Sequence, residues 1–282
     1  MQINLRKAMF VLPNLFTISS IFLGFYAMTL SAGDPTPERL HQAALAVFFA
    51  IFFDAFDGRV ARMTKTQSDF GVQLDSLADV ISFGAAPALL VFKWALEPFG
   101  FLGFFLSFAF AACGALRLAR FNVQYGSVER RHFVGLPIPL AAGCISSLAI
   151  AHYRAVGAAP DDGTRVLVAC LVALLSFLMV STVRYRTFKD VHISTRSLTV
   201  FVFLCAAGLA IGIATRASLV IPVYMAAYIA MGLAETVIGR RRAARLADLP
   251  PAVRAEIEAD EALEAEDEDL EVGAKDRGDG YV

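Results

Sequence analysis

Apolar stretches long enough to cross a bilayer recur along this chain, separated by short polar joints. Eight of them fall near residues 9–31, 41–61, 74–96, 100–119, 136–157, 165–184, 198–215 and 217–238, against a requirement of about 20 apolar residues per spanning helix. The pattern predicts an all-α, polytopic transmembrane helical bundle of about eight spans within residues 1–238. The first span, about 23 residues long and without a credible small-residue cleavage site, reads as a retained helix rather than a signal peptide. Beyond residue 238 the apolar pattern stops. Residues 239–282 open with Arg240-Arg241-Arg242 and Arg245, then turn acidic from Glu256 to Glu271, which predicts a disordered tail.

Spans two and three break the pattern where they face each other. Asp54-x-x-Asp57-Gly58-x-x-Ala61-Arg62 is followed after eight residues by Gly71-x-x-x-Asp75-x-x-x-Asp79. Each Asp at the centre of a spanning helix costs roughly 2.5–3.5 kcal/mol, so four would cost on the order of 10–14 kcal/mol if nothing compensated. Helical spacing puts Asp54, Asp57 and Ala61 on one stripe and Gly71, Asp75 and Asp79 on another. A short polar turn from Met63 to Phe70 lets the helices lie antiparallel with the stripes facing, so that the carboxylates converge. An all-oxygen cluster suits Mg²⁺, Mn²⁺ or Ca²⁺, and no His or Cys stands at a spacing that favours zinc.

Composition agrees with a membrane protein: 57% of residues are hydrophobic, 18% are charged, and the mean hydropathy is +0.60. The net charge of −1 hides a division. Residues 1–238 carry 18 basic and 13 acidic side chains, whereas 239–282 carry 7 basic and 13 acidic. If residues 1–8 face the cytoplasm, the inner joints hold thirteen basic residues, Arg59, Arg62, Lys65, Arg130 and Arg131 among them. The outer joints hold five: Arg39, Lys93, Arg154, Arg165 and Arg216. The positive-inside rule then places both termini and the aspartates on the cytoplasmic side. The basic residues follow this topology rather than a nucleic-acid face, which excludes nucleic acid as a partner. Cys113, Cys144, Cys170 and Cys205 fall in four different spans without metal or redox spacing and read as small packing residues. His41, His132, His152 and His192 are isolated in sequence and read as loop or rim residues.

The aspartate pattern resembles the signature of the CDP-alcohol phosphotransferase family, with every defining position present. The resemblance implies that Asp54, Asp57, Asp75 and Asp79 ligate divalent metal, two Mg²⁺ or Mn²⁺ ions clamping a diphosphate, and that Asp79 is also the general base. It implies a CDP-lipid site with Asn14, Asp57, Gly58, Ala61, Arg62 and Gly71 around it. The small residues would admit a nucleotide to the helix surface, although close helix packing explains them equally, and Arg62 would meet phosphate oxygens. The reaction expected is attack by an alcohol on the β-phosphorus of a CDP-linked donor, with release of CMP. A homodimer in a bacterial cytoplasmic membrane, among its lipids, is a further expectation.

The acceptor is read from the flanking residues. Pro13-Asn14-Leu15-Phe16-Thr17, Ser82-Phe83-Gly84, Arg117-Leu118-Ala119-Arg120-Phe121-Asn122 and Phe133-x-Gly135-Leu136-Pro137-x-Pro139 are similar to the family's membrane-embedded phosphatidylserine synthases over residues 9–145. CDP-diacylglycerol and L-serine are the substrates this implies. Ser82, Arg117 and Arg120 are candidates for serine or phosphate, with backbone bonding the alternative for Ser82 and membrane anchoring for the arginines. Asn14 could instead cap its helix. Glycerol 3-phosphate, inositol or inositol phosphate, and choline are the other acceptors within the family. A cation- or proton-coupled transporter is the reading from another class; it accounts for charges in spans but not for the small residues at fixed spacing.

Overall fold

The computed structural model describes residues 5–63, 69–123, 132–181 and 184–186, with side chains over 14–56, 70–123 and 135–181. Spans seven and eight of the sequence reading, and the tail from 239, lie outside the described residues. Within them the chain is helical apart from one pair of three-residue strands.

Helix α1 (Leu5–Ala32) and helix α2 (Pro37–Met63) form the most closely packed pair. The turn between them is set by local chemistry: the Thr36 hydroxyl accepts from the Arg39 N–H at 3.3 Å, and Pro37 supplies a pre-set φ for the first helical position. The third span is a composite. Helix α3 (Asp69–Asp79) passes into a π-helical segment, Val80–Ala85, then α4 (Ala86–Val91), a second π segment, Phe92–Leu96, and a 3₁₀ turn, Glu97–Phe99. Gly100, at φ 57°, reverses the chain into α5 (Phe101–Val123). Helices α6 (Ile138–Val156) and α7 (Asp162–Val180) complete the described bundle.

The third span is the axis of the molecule. Half of its apolar window is buried inside the protein, against 28–33% for the four other helices apolar enough to cross a membrane, and it touches α1, α2, α5, α6 and α7. Its 30 residues extend roughly 45 Å at 1.5 Å per residue, more than the roughly 30 Å of hydrocarbon. A span of that length crosses the apolar layer with a tilt, or extends beyond it at one end. Helix α6 is the fifth expected span, but it is not among the described helices long and apolar enough to cross a membrane, and its last turns carry His152, Tyr153 and Arg154. Ten of its residues, Ser146 and Ser147 included, are buried within the protein.

The sixth span ends at Val180, short of the expected 184, and the chain continues into strand β2 (Arg184–Arg186), antiparallel to β1 (His132–Val134). Pro137 is the N-cap residue of α6 and Pro139 lies in its first turn, where a proline's missing N–H costs nothing. Just before them, Gly135 adopts φ 82°, and the Leu136 N–H donates to the Leu178 carbonyl at 3.1 Å. A Cβ at residue 135 would lie 2.4 Å from the Met179 carbonyl oxygen. Gly135→Ala is therefore expected to lower stability by at least the 1–3 kcal/mol typical of a forced left-handed residue. A thermal midpoint in detergent unchanged from wild type would refute this.

Candidate active site

α2 ends and α3 begins at the same end of the bundle, and there the carboxylates of Asp54, Asp75 and Asp79 come together. One ligand oxygen from each lies within 4.8 Å of the other two. Three ionised carboxylates that close repel by about 3–4 kcal/mol per pair at an effective dielectric of 20. Asp79 Oδ1 is buried with no hydrogen-bond partner. An acceptor in that position, beside two more carboxylates and with no imidazole or thiolate in the cluster, fits a hard divalent cation. Three of the four aspartates grouped from the sequence spacing thus stand together, and the side chain of Asp57 lies outside the described residues.

Its frame differs from the expected pair of facing helices. α3 lies close to α1, and little of its main chain approaches α2. The carboxylates of Asp75 and Asp79 therefore reach Asp54 without a close α2–α3 main-chain seam. α1 packs beside Asp54, the Phe16 ring centroid lying 6.3 Å and 6.4 Å from those of Phe53 and Phe56 on either flank of it.

The α2 backbone continues unbroken through Asp57, Gly58, Ala61 and Arg62, keeping Asp57 on the helical face of Asp54; their side chains lie outside the described set. Gly71 is in the first turns of α3, and Asn14 is half-buried on α1. Arg117 is buried to 7% exposure at the same end of α5, its Nε has no hydrogen-bond partner, and its charge interacts with that of Asp79. Arg120, one turn later, donates from Nη1 to the Val180 carbonyl at 3.0 Å and from Nη2 to those of Ser181 and Met179 at 3.4 and 3.5 Å. That guanidinium closes the C-terminus of α7, where carbonyls lack helical partners. Ser82 is fully buried, and its hydroxyl donates to the Ser20 carbonyl of α1 at 2.9 Å.

Sequence reasoning gave no role to Asn122, whose amide donates to the Ser76 hydroxyl at 2.9 Å and so ties the end of α5 to the residue beside Asp75. A polar amide in the last turn of an apolar helix was the available signal. Two of the histidines are less isolated than their sequence suggests. His41 stacks on Tyr153 at 4.4 Å and His152 meets Trp94 edge-on at 5.7 Å, around a cavity of about 90 Å³ at the opposite end of the bundle.

A helical membrane protein with an acidic, hard-cation site at one rim is the class these features define. The family model for CDP-alcohol phosphatidyltransferase matches residues 10–243, and the chain belongs to that family. It is 38% identical over 187 residues to a CDP-diacylglycerol–serine O-phosphatidyltransferase of Helicobacter pylori, covering 65% of this chain and 75% of that one. A Bacillus subtilis enzyme of the same description is 33% identical over 63% of this chain and 91% of its own length. An archaetidylserine synthase of Methanothermobacter thermautotrophicus is 34% identical over 65% and 73%.

Proposed function

We propose that the chain transfers the phosphatidyl group of CDP-diacylglycerol to the hydroxyl of L-serine, giving phosphatidylserine and CMP. The observation that carries the reaction type is the convergence of Asp54, Asp75 and Asp79 in a chain of this family. Serine as acceptor is supported by relatives at 33–38% identity described as serine O-phosphatidyltransferases. The transporter reading loses its support, because family membership accounts for the intramembrane carboxylates without ion flux.

Asp54, Asp57, Asp75 and Asp79 would hold two Mg²⁺ or Mn²⁺ ions, which when bound neutralise the diphosphate and the charge developing on it. Asn14, Gly58, Ala61, Arg62 and Gly71 surround the CDP moiety. The serine hydroxyl oxygen bonds to the β-phosphorus as the bond from that phosphorus to the CMP oxygen breaks, and a carboxylate oxygen of Asp79 takes the hydroxyl proton. Arg117 offers the buried cation that a serine carboxylate or a donor phosphate requires. Arg120 contributes through N–H groups not spent on α7. A carboxylate is a weak base for an alcohol, so orientation and electrostatic stabilisation supply most of the rate.

The site faces the cytoplasm of a bacterial membrane in this reading, an orientation that the excess of basic residues in the inner joints supports. CDP-diacylglycerol reaches it from the bilayer and serine from water, and the working unit is a homodimer. Purified protein given CDP-diacylglycerol with labelled serine, inositol 1-phosphate or glycerol 3-phosphate should release CMP with serine alone. Release with another acceptor and none with serine would overturn the assignment.

A further inference from the structure

The segment directly after Asp79 departs from α-helical geometry, and the departure is pinned from outside. Val80–Ala85 forms a π-helix with Asp79 as its N-cap residue. Isolated π turns tend to occur at functional sites and need surroundings that hold them. Here α1 holds this one. The Ser82 hydroxyl donates across the interface to the Ser20 carbonyl at 2.9 Å, with both serines fully buried. One turn further along α1, Gly24 lies against the same residue: a Cβ at residue 24 would sit 2.7 Å from Ser82 Cα and 2.8 Å from its Oγ. Backbone meets backbone at that point, so no rotamer change could relieve the clash.

A helix that has taken on a wider turn has two competing registers, α and π, which differ in the rotation of everything on its N-terminal side. Asp79 and Asp75 are on that side. We infer that Ser82 and Gly24 form a lock that sets the rotation of α3, and with it the placement of the Asp79 and Asp75 carboxylates against Asp54, so that Ser82 is a positioning residue for the metal site rather than a contact for serine. The full burial of Ser82 and the commitment of its hydroxyl to Ser20 separate it from the cleft where an acceptor must arrive. The inference rests on the metal reading of the carboxylate cluster and adds two residues that act on it from behind.

The experiment is direct Mn²⁺ binding to the purified full-length protein, read by electron paramagnetic resonance without substrate, alongside the kinetics with CDP-diacylglycerol and serine. Ser82→Ala and Gly24→Ala are each expected to weaken Mn²⁺ binding by about tenfold or more, the range seen when groups supporting metal ligands are removed. The Mn²⁺ concentration for half-maximal activity should rise in parallel, while the KM for serine at saturating metal changes less than twofold. Ser176→Ala is the control. It removes a buried hydroxyl bond of the same kind, to the Val172 carbonyl at 2.8 Å in α7, and should leave Mn²⁺ binding unchanged. A raised KM for serine with wild-type Mn²⁺ affinity in Ser82→Ala would overturn the inference and make Ser82 a substrate contact. Unchanged values for both, or an equal loss in Ser176→Ala, would also overturn it. Gly24→Ala failing to insert would leave Ser82→Ala to decide. Wild-type protein that binds no Mn²⁺ would sink the metal reading itself, and wild-type protein that binds Mn²⁺ but ignores serine would sink only the acceptor assignment.

Discussion

Asp79→Asn is expected to reduce CMP release by on the order of 10²–10⁴-fold, the scale of losing a general base, and further if metal affinity falls with it. The amide is nearly the same size as the carboxylate, so packing is not the cause. Oδ1 of Asp79 is buried without a hydrogen-bond partner; an amide there neither accepts the acceptor's proton nor balances a divalent charge. The protein should still enter the membrane, and slightly more readily, since one carboxylate costs at most about 2.5–3.5 kcal/mol on insertion and less near the rim. Asp57→Asn and Asp75→Asn should move activity in the same direction. Turnover above a tenth of wild type in Asp79→Asn, measured with saturating serine and metal, would remove Asp79 from both roles.

Chelation is the second large effect. EDTA should take activity to background, and Mg²⁺ or Mn²⁺ should restore it. The same treatment has a stability consequence that does not depend on substrate. Carboxylates within 4.8 Å of one another repel by about 3–4 kcal/mol per ionised pair, and a cation held at a hundred times its dissociation constant returns about 2.7 kcal/mol to the folded state. The wild type should therefore melt at a lower temperature in chelator than in Mn²⁺. Asp75→Asn should reverse the order of the two proteins: more stable than wild type in chelator, less responsive to added metal. Identical melting of wild type with and without chelator would contradict a metal-filled cluster.

How much of this was legible beforehand depends on the range of the interaction. Asp54, Asp57, Asp75 and Asp79 could be grouped from the chain alone, because helical periodicity fixes which residues share a face, and apolar surroundings make each carboxylate conspicuous. The helices of the described residues were legible for the same reason, apart from their ends. Arg120 and Ser82 were not. Arg120 stands near the end of an apolar helix, where a ligand contact, a membrane anchor and an interhelical bond are equally suited, and Ser82 stands inside an apolar span, where a ligand contact and a backbone bond are. Their partners, the carbonyls of Val180 and Ser20, lie about 60 residues away in sequence and carry no side-chain signal. Gly24 likewise looks like any small residue in a span until Ser82 is placed against it.

Local rules thus sufficed for the helical class, the order of the described helices and the grouping of Asp54 with Asp75 and Asp79, since each depends on spacing along one segment and on the cost of charge in hydrocarbon. The tertiary structure decided that α3 rests on α1 instead of α2, that the third span takes a π turn immediately after Asp79, and that the arginines of α5 divide between the carboxylates and the end of α7. Those outcomes follow from which backbones can approach each other closely and which buried carbonyls need donors. Both conditions are set only when distant segments have packed.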